Sequence, residues 1–326
     1  MAEPLDRIGL RLARAAAAVL SPAGPRARLT ILIFHRVRTE RDALFPGEPT
    51  AEDFARQLDL VAGMFNVLPL PEAVERLRAG TLPARPACIT FDDGYRDNAE
   101  VALPLLARRG LHATFFIATG FLDGGRMWND TVIESVRRCA LPALDLQEIG
   151  LGRHELGATA QRRAALDALI RALKHRPFDE RARLVAAVAH RSGARLPEDL
   201  MMSSAQVAAL ARAGMEIGGH TVDHPILARL AIDEARRQIV EGRQRLEALT
   251  GRPVRLFAYP NGKPGSDYAR EHVELVRDTG FEAAVSTAAG VATNGCDLFQ
   301  LPRFTPWDRH ALRLLRNLGQ KRPQAA

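Results

Sequence analysis

Two adjacent carboxylates, Asp92 and Asp93, end the apolar run Ala87-Cys88-Ile89-Thr90-Phe91 and are followed at once by Gly94. The run reads as a buried strand and the glycine as its terminator, so the pair stands at a strand's C-terminal end. Side chains on a regular strand alternate faces, and both carboxylates can serve one site only where the strand is already breaking, which Gly94 permits. Parallel α/β folds bind ligands at such strand ends. A purely structural alternative is a capping turn, with Asp93 or Asp97 as N-cap of a helix beginning near Asn98. Far downstream, Met215-Glu216-Ile217-Gly218-Gly219 forms a second short strand, and His220-Thr221-Val222-Asp223-His224 follows it. That spacing puts both imidazoles on one side of a helical or tightly coiled turn, within reach of one ion. Two neutral imidazoles plus a carboxylate make a three-ligand set that keeps a position open, as catalytic zinc sites do.

Elements that must position these residues alternate along the chain. Strands are expected at 29–34, 67, 87–91, 112–118, 215–219, 254–259, 281–286 and 299–301, with helices between most of them at 51–65, 72–79, 99–109, 206–213, 231–249 and 268–279. The alternation argues for a parallel α/β architecture. About eight short strands, with no GxGxxG after any of them, fit a distorted or incomplete (β/α) barrel better than an open dinucleotide-binding sheet. It is interrupted at about 130–200 by an Ala-, Leu- and Arg-rich stretch that reads as a helical insertion without a strand, with Trp128-Asn129-Asp130 at its entrance. Residues 1–25 are a separate amphipathic helix, with Leu5, Ile8, Leu12, Ala15 and Val19 on one face and Arg7, Arg11 and Arg14 on another, leaving 26–326 for the barrel domain.

Composition narrows the function classes. The 326 residues carry 47% apolar side chains and a formal charge of +7, with a pI near 10 that comes almost wholly from arginine. No nucleic-acid motif accompanies the charge and aromatics for base stacking are few, which argues against a nucleic-acid partner. Cys88, Cys139 and Cys296 are widely spaced, so neither a disulfide framework nor a cysteine metal site is indicated. No apolar run is long enough to span a bilayer. The first residues make a poor signal peptide, because Glu3 and Asp6 sit in the leading region. A cytoplasmic protein is the expectation, at the inner membrane face if the basic N-terminal helix lies on lipid instead of packing on the domain.

Thr90-Phe91-Asp92-Asp93-Gly94 together with the His-x-x-x-His of 220–224 resembles the polysaccharide deacetylase superfamily, the carbohydrate esterases that share the nodulation-factor deacetylase homology domain. The resemblance extends over about 29–304. It implies a single divalent ion held by Asp93, His220 and His224, with Asp92 as general base; on the residues alone the two aspartates could exchange roles. Coordination lowers a water's pKa from about 15.7 to about 7 and polarises a carbonyl, supplying nucleophile and electrophile together. Nitrogen and oxygen ligands suit zinc, and cobalt, nickel or iron would also bind.

The chain departs from the family pattern twice. Many relatives supply a histidine acid from a late Leu-x-Leu-His strand, whereas 297–307 contains no histidine and His310 falls in an expected helix. Ile31-Leu32-Ile33-Phe34-His35 reads as that motif moved to the first strand. First and last strands are neighbours in a barrel, so His35 could reach the same rim as general acid, its structural alternative being a histidine satisfied at a strand end. Second, Ala258 of Phe257-Ala258-Tyr259-Pro260 stands where the family often has an arginine that orients the base. Arg303, in Leu301-Pro302-Arg303-Phe304, could replace it or lie on the surface. Tyr259 is the family-derived candidate for an oxyanion N–H donor, and Trp128 is either a sugar-stacking platform or a core aromatic. The resemblance therefore implies a metal-dependent deacetylase acting on N-acetyl, or O-acetyl, groups of a polysaccharide or lipid-linked saccharide. The rival is a saccharide-binding module that keeps the metal site without strong catalysis.

Overall fold

Alternation within the first and third strands sets up two apolar layers. In β1 (Arg28–Phe34), Leu29 and Ile31 join one buried cluster while Leu32 and Phe34 join another, and further on Cys88 separates from Ala87, Ile89 and Phe91 in the same way. The computed structural model describes residues 7–305. Before β1 comes α1 (Arg7–Leu20); after it the order is α2 (Ala51–Met64), β2 (Asn66–Val67), α3 (Leu70–Ala79), β3 (Pro86–Phe91), a π-helical turn at Asn98–Ala102 that runs into α4 (Leu103–Ala107), and β4 (Thr114–Ile117). The insertion holds α5 (Trp128–Arg138), β5 (Ala143–Leu146), β6 (Gly152–Glu155), α6 (Thr159–Leu173) and α7 (Phe178–Ser192). The α/β alternation resumes with α8 (Ser204–Arg212), β7 (Glu216–Gly219), α9 (Ile232–Thr250), β8 (Leu256–Ala258), α10 (Arg270–Asp278), β9 (Ala283–Val285) and β10 (Ala292–Thr293).

The central sheet runs β10-β1-β3-β4-β7-β8-β9, parallel except for β10, which pairs antiparallel with β1; β2 adds to the start of β3. On the helix-covered face Phe34, Phe91 and Phe115 stack with ring centroids 5.3 and 4.9 Å apart, and Phe54 of α2 meets Phe34 edge-on. The opposite face, with Leu29, Ile31, Cys88, Phe116, Leu256 and Val285, fills the inside of the curl. Residues 301–304 draw the last strand toward the first. Leu301 bridges Val285 and Phe304 bridges Leu32, both in parallel sense, so the fold is an incomplete (β/α) barrel closed by bridges where a strand would stand.

Three local expectations are corrected. The insertion is not wholly helical: β5 and β6 form an antiparallel hairpin whose turn places Gly150 and Gly152 at positive φ. The segment expected as a strand at 299–301 is a 3-10 turn, Leu298–Gln300, closed by Asp297 accepting from the Phe299 N–H at 3.0 Å. The helix expected at 99–109 begins as a π turn, a form often found at functional sites. The insertion buries its own apolar cluster, including Val132, Val136, Leu144, Leu169 and Val188. Helix α1 packs on the domain through Leu10, Ala13 and Ala17, while Leu12 and Val19 face solvent. No helix among the described residues is long and apolar enough to cross a membrane.

Candidate metal centre and its base

β3 delivers the two aspartates to different neighbours. Cys88, Thr90 and Asp92 share the inner face, and Asp92 continues the strand's direction, its N–H donating to Phe34 O at 2.9 Å. The backbone then turns left-handed at Asp93 (φ +79°) and again at Gly94 (φ +93°). For a non-glycine residue that conformation costs about 1–3 kcal/mol and is tolerated where the surroundings fix it. A Cβ at Gly94 would also crowd Ile117 Cγ2 at 3.0 Å, adding a tight contact to the strain of that φ. The turn swings Asp93 across to the second motif. Asp93 Oδ1 lies 3.4 Å from Nε2 of both His220 and His224, and one ligating atom from each residue falls within 4.8 Å of the others.

The histidine loop is coiled, not helical. Thr221 (φ +67°) and His224 (φ +51°) are left-handed, and the His224 N–H donates to Thr221 Oγ1 at 3.0 Å. From α9, Gln238 caps the loop: its Oε1 accepts from the N–H groups of Val222 and Asp223, and its Nε2 donates to Asp223 Oδ2 at 2.7 Å. Gly242 lets α9 come this close, because a Cβ there would meet the Thr221 backbone at 3.0 Å. His220 Nδ1 pairs with Ala258 O at 2.7 Å; donation to that carbonyl fixes the tautomer that leaves Nε2 free as a ligand. Burial pushes the His224 imidazole down to about 4, against the pull of Asp93, so it is neutral and able to ligate at physiological pH. Burial opposes ionisation of Asp93 as well, but the two imidazoles converging on it outweigh burial and hold its carboxyl well below the usual range.

Asp92 is held apart from this triad by Arg303. The guanidinium donates to Asp92 Oδ1 and Oδ2 at 2.7 Å each, with further bonds to Thr90 Oγ1 at 3.2 Å and Ser286 O at 2.9 Å. Arg303 is 1% exposed, which excludes the surface alternative. Burial works against ionisation of Asp92, yet the charge and hydrogen bonds of Arg303 prevail and keep its pKa below the ordinary value. The barrel-closing segment thus supplies the arginine that Ala258 cannot.

His35 follows β1 on the same strand-end rim. Its ring is exposed, lining a cavity of about 110 Å³, and it stands near enough to Asp92, Asp93 and His224 to couple with them electrostatically. Its backbone is anchored by residues that the sequence suggests only as the cap and first turn of a helix. Asn98 Nδ2 donates to His35 O at 2.8 Å, and Asp97 accepts from Arg36 Nε at 2.6 Å and from the Val37 N–H at 3.2 Å. Asp97 is therefore a strand clamp, and no side-chain cap bond forms at the π turn it precedes. Beneath the clamp, Arg36 lies 4.1 Å over the Tyr95 ring, and the Tyr95 hydroxyl donates to the buried Asp130 carboxylate at 3.1 Å. Burial pushes Asp130 up to about 7.

Two substrate-contact expectations change. Tyr259 is buried, with its hydroxyl on Phe299 O at 3.0 Å and its ring stacked 3.8 Å from Tyr268; its N–H donates to Val285 O at 3.3 Å, so the expected oxyanion donor already serves the sheet. Trp128 is half-buried at the start of α5, with the Arg181 guanidinium 5.0 Å over its ring, and it lines a groove against the insertion. His310 lies outside the described residues.

Comparison with known proteins agrees with this geometry. The family model for polysaccharide deacetylase matches residues 79–158 and 180–284, more than half of the chain; the break falls on α6. YxkH of Bacillus subtilis (strain 168), whose name assigns it to the same family, is 20% identical over 278 residues, covering 85% of this chain and 71% of that protein. Among solved structures, the Streptococcus pyogenes deacetylase PplD in complex with acetate superposes with a TM-score of 0.60 at 18% identity, over 90% of this chain and 98% of that one. IcaB from Ammonifex degensii gives 0.60 at 19%, over 92% and 99%. The deacetylase domain of BpsB from Bordetella bronchiseptica gives 0.55 at 18%, over 85% and 95%.

Proposed function

Because the chain belongs to the polysaccharide deacetylase family, and is a hydrolase of that family, we propose that its strand-end site removes an acetyl group from an N-acetylated amino sugar, or an O-acetyl group, in a polysaccharide or lipid-linked saccharide. The observation that carries this reading is the division of labour between adjacent carboxylates. Asp93 is turned toward two histidines, while Asp92 is clamped by a buried arginine and kept ionised beside them. A module that only binds saccharide has no use for that second, separately held carboxylate.

The donor set fits one divalent ion. Three ligand atoms converge, one imidazole is fixed in the ligating tautomer and the other is neutral. Asp93, His220 and His224 would hold a divalent ion, which when bound would supply Lewis acidity toward a water and the acyl carbonyl; zinc would suit these ligands. Asp92 takes the water's proton. Both its oxygens accept from Arg303, and each keeps a lone pair for that transfer. His35 faces solvent on the same rim and gives a proton to the departing amine or alcohol. Arg36, Asp97 and Asn98 hold its backbone in place through the transfer. The Streptococcus pyogenes relative was solved with acetate, the product such a reaction releases.

Although α1 packs on the domain through Leu10, Ala13 and Ala17, its other face leaves Leu12 and Val19 exposed beside Arg11 and Arg14, a surface that suits a lipid-linked substrate at the cytoplasmic membrane face as the proposed setting. Deletion of residues before Pro22 should then abolish sedimentation with anionic vesicles, and unchanged sedimentation would remove that setting. The activity itself is tested by acetate release from chitooligosaccharides and an acetylated xylan after chelation, then zinc or cobalt addition. Metal-restored release that Asp92→Asn abolishes is expected. Release that persists in Asp92→Asn would refute Asp92 as base.

A further inference from the structure

Between α5 and α7 a groove with a volume of about 480 Å³ runs past the histidine loop. Its walls include Trp128, Phe178, Arg126 and Arg181, and its end nearest the candidate metal centre is Asp223, the residue before His224. Two features set it apart. Arg181 is 7% exposed, yet its guanidinium contacts are the Trp128 ring at 5.0 Å, the Phe178 ring at 5.7 Å and Lys174 O at 3.3 Å, with no ion pair among the described residues. Arg126, only half-buried, also lacks a carboxylate partner among the described residues: it donates to Thr131 Oγ1 and to Pro197 O, both neutral. A buried charge without a counter-charge carries a desolvation cost. Asp97 offsets it for Arg36, whereas Arg181, like the equally buried Arg85, has carbonyl hydrogen-bond partners only among the described residues, and of these two only Arg181 lines the groove. The groove's one carboxylate, Asp223, is engaged through Oδ2 with Gln238 of α9.

We propose that this groove is a saccharide subsite for an acidic sugar, a residue carrying a carboxylate whose charge Arg126 and Arg181 complete and whose apolar ring face rests on Phe178 and Trp128. Charge complementarity selects this occupant over a neutral glycan, since two guanidinium groups are offered and the carboxylate present is already bonded. Burial alone draws the Arg181 guanidinium below its usual value, the direction that a bound anion would reverse. Half of Phe178 is open to solvent, giving the sugar's C–H face an apolar seat beside the charge. Asp223 and His224 share one loop, so a chain lying in the groove is led to the candidate metal centre. The subsite rests on the deacetylase reading for its purpose, but its occupancy can be measured without turnover.

The probe is a uronic-acid-containing oligosaccharide, compared with the same oligosaccharide after carboxyl reduction. Binding is read from tryptophan fluorescence in a Trp307→Phe background, which leaves Trp128 as the single tryptophan. Acidic oligosaccharide should bind about tenfold more tightly than its reduced form, a charge-assisted contact's ordinary effect, and Arg126→Gln or Arg181→Gln should erase the difference. A small chromogenic acetyl ester reports the catalytic centre separately. Arg181→Lys, which keeps the charge, guards against a folding defect in Arg181→Gln and should keep part of the preference. Equal binding of the two oligosaccharides to wild type, or an undiminished preference in Arg126→Gln and a folded Arg181→Gln, would overturn the subsite even if the ester is hydrolysed. An inert ester with intact acidic preference would overturn the deacetylase reading and keep the subsite.

Discussion

Arg303→Gln removes the guanidinium and leaves Asp92, 3% exposed, without its bidentate partner. Breaking a buried pair by deleting one member costs about 3–5 kcal/mol, because the remaining charge stays desolvated. At roughly 2–4 °C per kcal/mol for a domain of this order of size, the melting temperature should fall on the order of 10 °C. The sign with pH follows from Asp92. In wild type its folded pKa is depressed, so the pair's contribution is complete above the ordinary carboxylate value near 4 and is lost as pH falls through the lower folded value. In the variant, burial without the guanidinium raises that pKa above the unfolded one, and acidification relieves the penalty by protonation. The stability gap between wild type and variant should therefore be widest near pH 8 and narrow toward pH 4. Urea unfolding of chelator-treated wild type, Arg303→Gln, Asp92→Asn and the double variant gives the full cycle. The double variant should be more stable than Arg303→Gln alone by about 1–2 kcal/mol at pH 8. A gap that is flat with pH, with a double variant no better than the single one, would refute the argument and assign Arg303 to packing over Phe116. In activity, the acid limb of kcat/KM should move to higher pH in Arg303→Gln.

Metal analysis after dialysis against zinc should find about one equivalent in wild type and in Asp92→Asn, and little in Asp93→Ala or His220→Ala, if ligand and base are divided as assigned. His35→Gln should lower kcat about 100-fold or more while retaining metal. Asp97→Ala, which frees Arg36 and Val37 but touches no ligand, should lower kcat about tenfold with metal content unchanged and shift the alkaline limb of the pH profile; an unmoved limb would make Asp97 merely structural. Because burial draws His224 down to about 4, the unfolded chain takes up its proton first, and the metal-free protein should lose stability as pH falls from about 6.5 to 4. His224→Asn should flatten that portion of the stability profile.

The parts legible in sequence are those with short-range causes. Alternation in 87–91 and the glycine behind it place Asp92 and Asp93 at a strand end, and the i, i+4 histidines could converge whether helical or coiled. Asp97 and Asn98 were hidden because their partners, Arg36, Val37 and His35, lie about sixty positions away; only the fold brings β1 beside β3. Gln238 on α9 looks like one more polar helix residue until the loop it caps is placed beside it. The insertion hairpin was missed since Ala143-Leu144-Asp145-Leu146 offers a short alternating run without β-branched residues, inside a sequence otherwise strong in helix formers.

Arg303 lies between these cases, and it shows why the family pattern could loosen without loss of the clamp. What the proposed base requires is a guanidinium on the inner face, level with Asp92, in a setting dry enough to fix its geometry. A residue on β8 at position 258 is one route, but here position 258 carries only a methyl group buried in the inner-face cluster, and its backbone carbonyl pairs with His220 Nδ1. The segment that bridges β9 to β1 supplies another route: Leu301 and Phe304 pin its two ends, Arg303 Nε is held by Ser286 O, and the remaining nitrogens reach Thr90 and Asp92 across the curl. The same closure that makes first and last strands neighbours thus serves two of the proposed roles, bringing His35 to the rim and Arg303 to the base. Ala258→Arg in an Arg303→Gln background tests this equivalence: if position and charge are what matter, the added arginine should recover part of the acid-limb shift, whereas no recovery with intact folding would tie the clamp to the bridging segment itself.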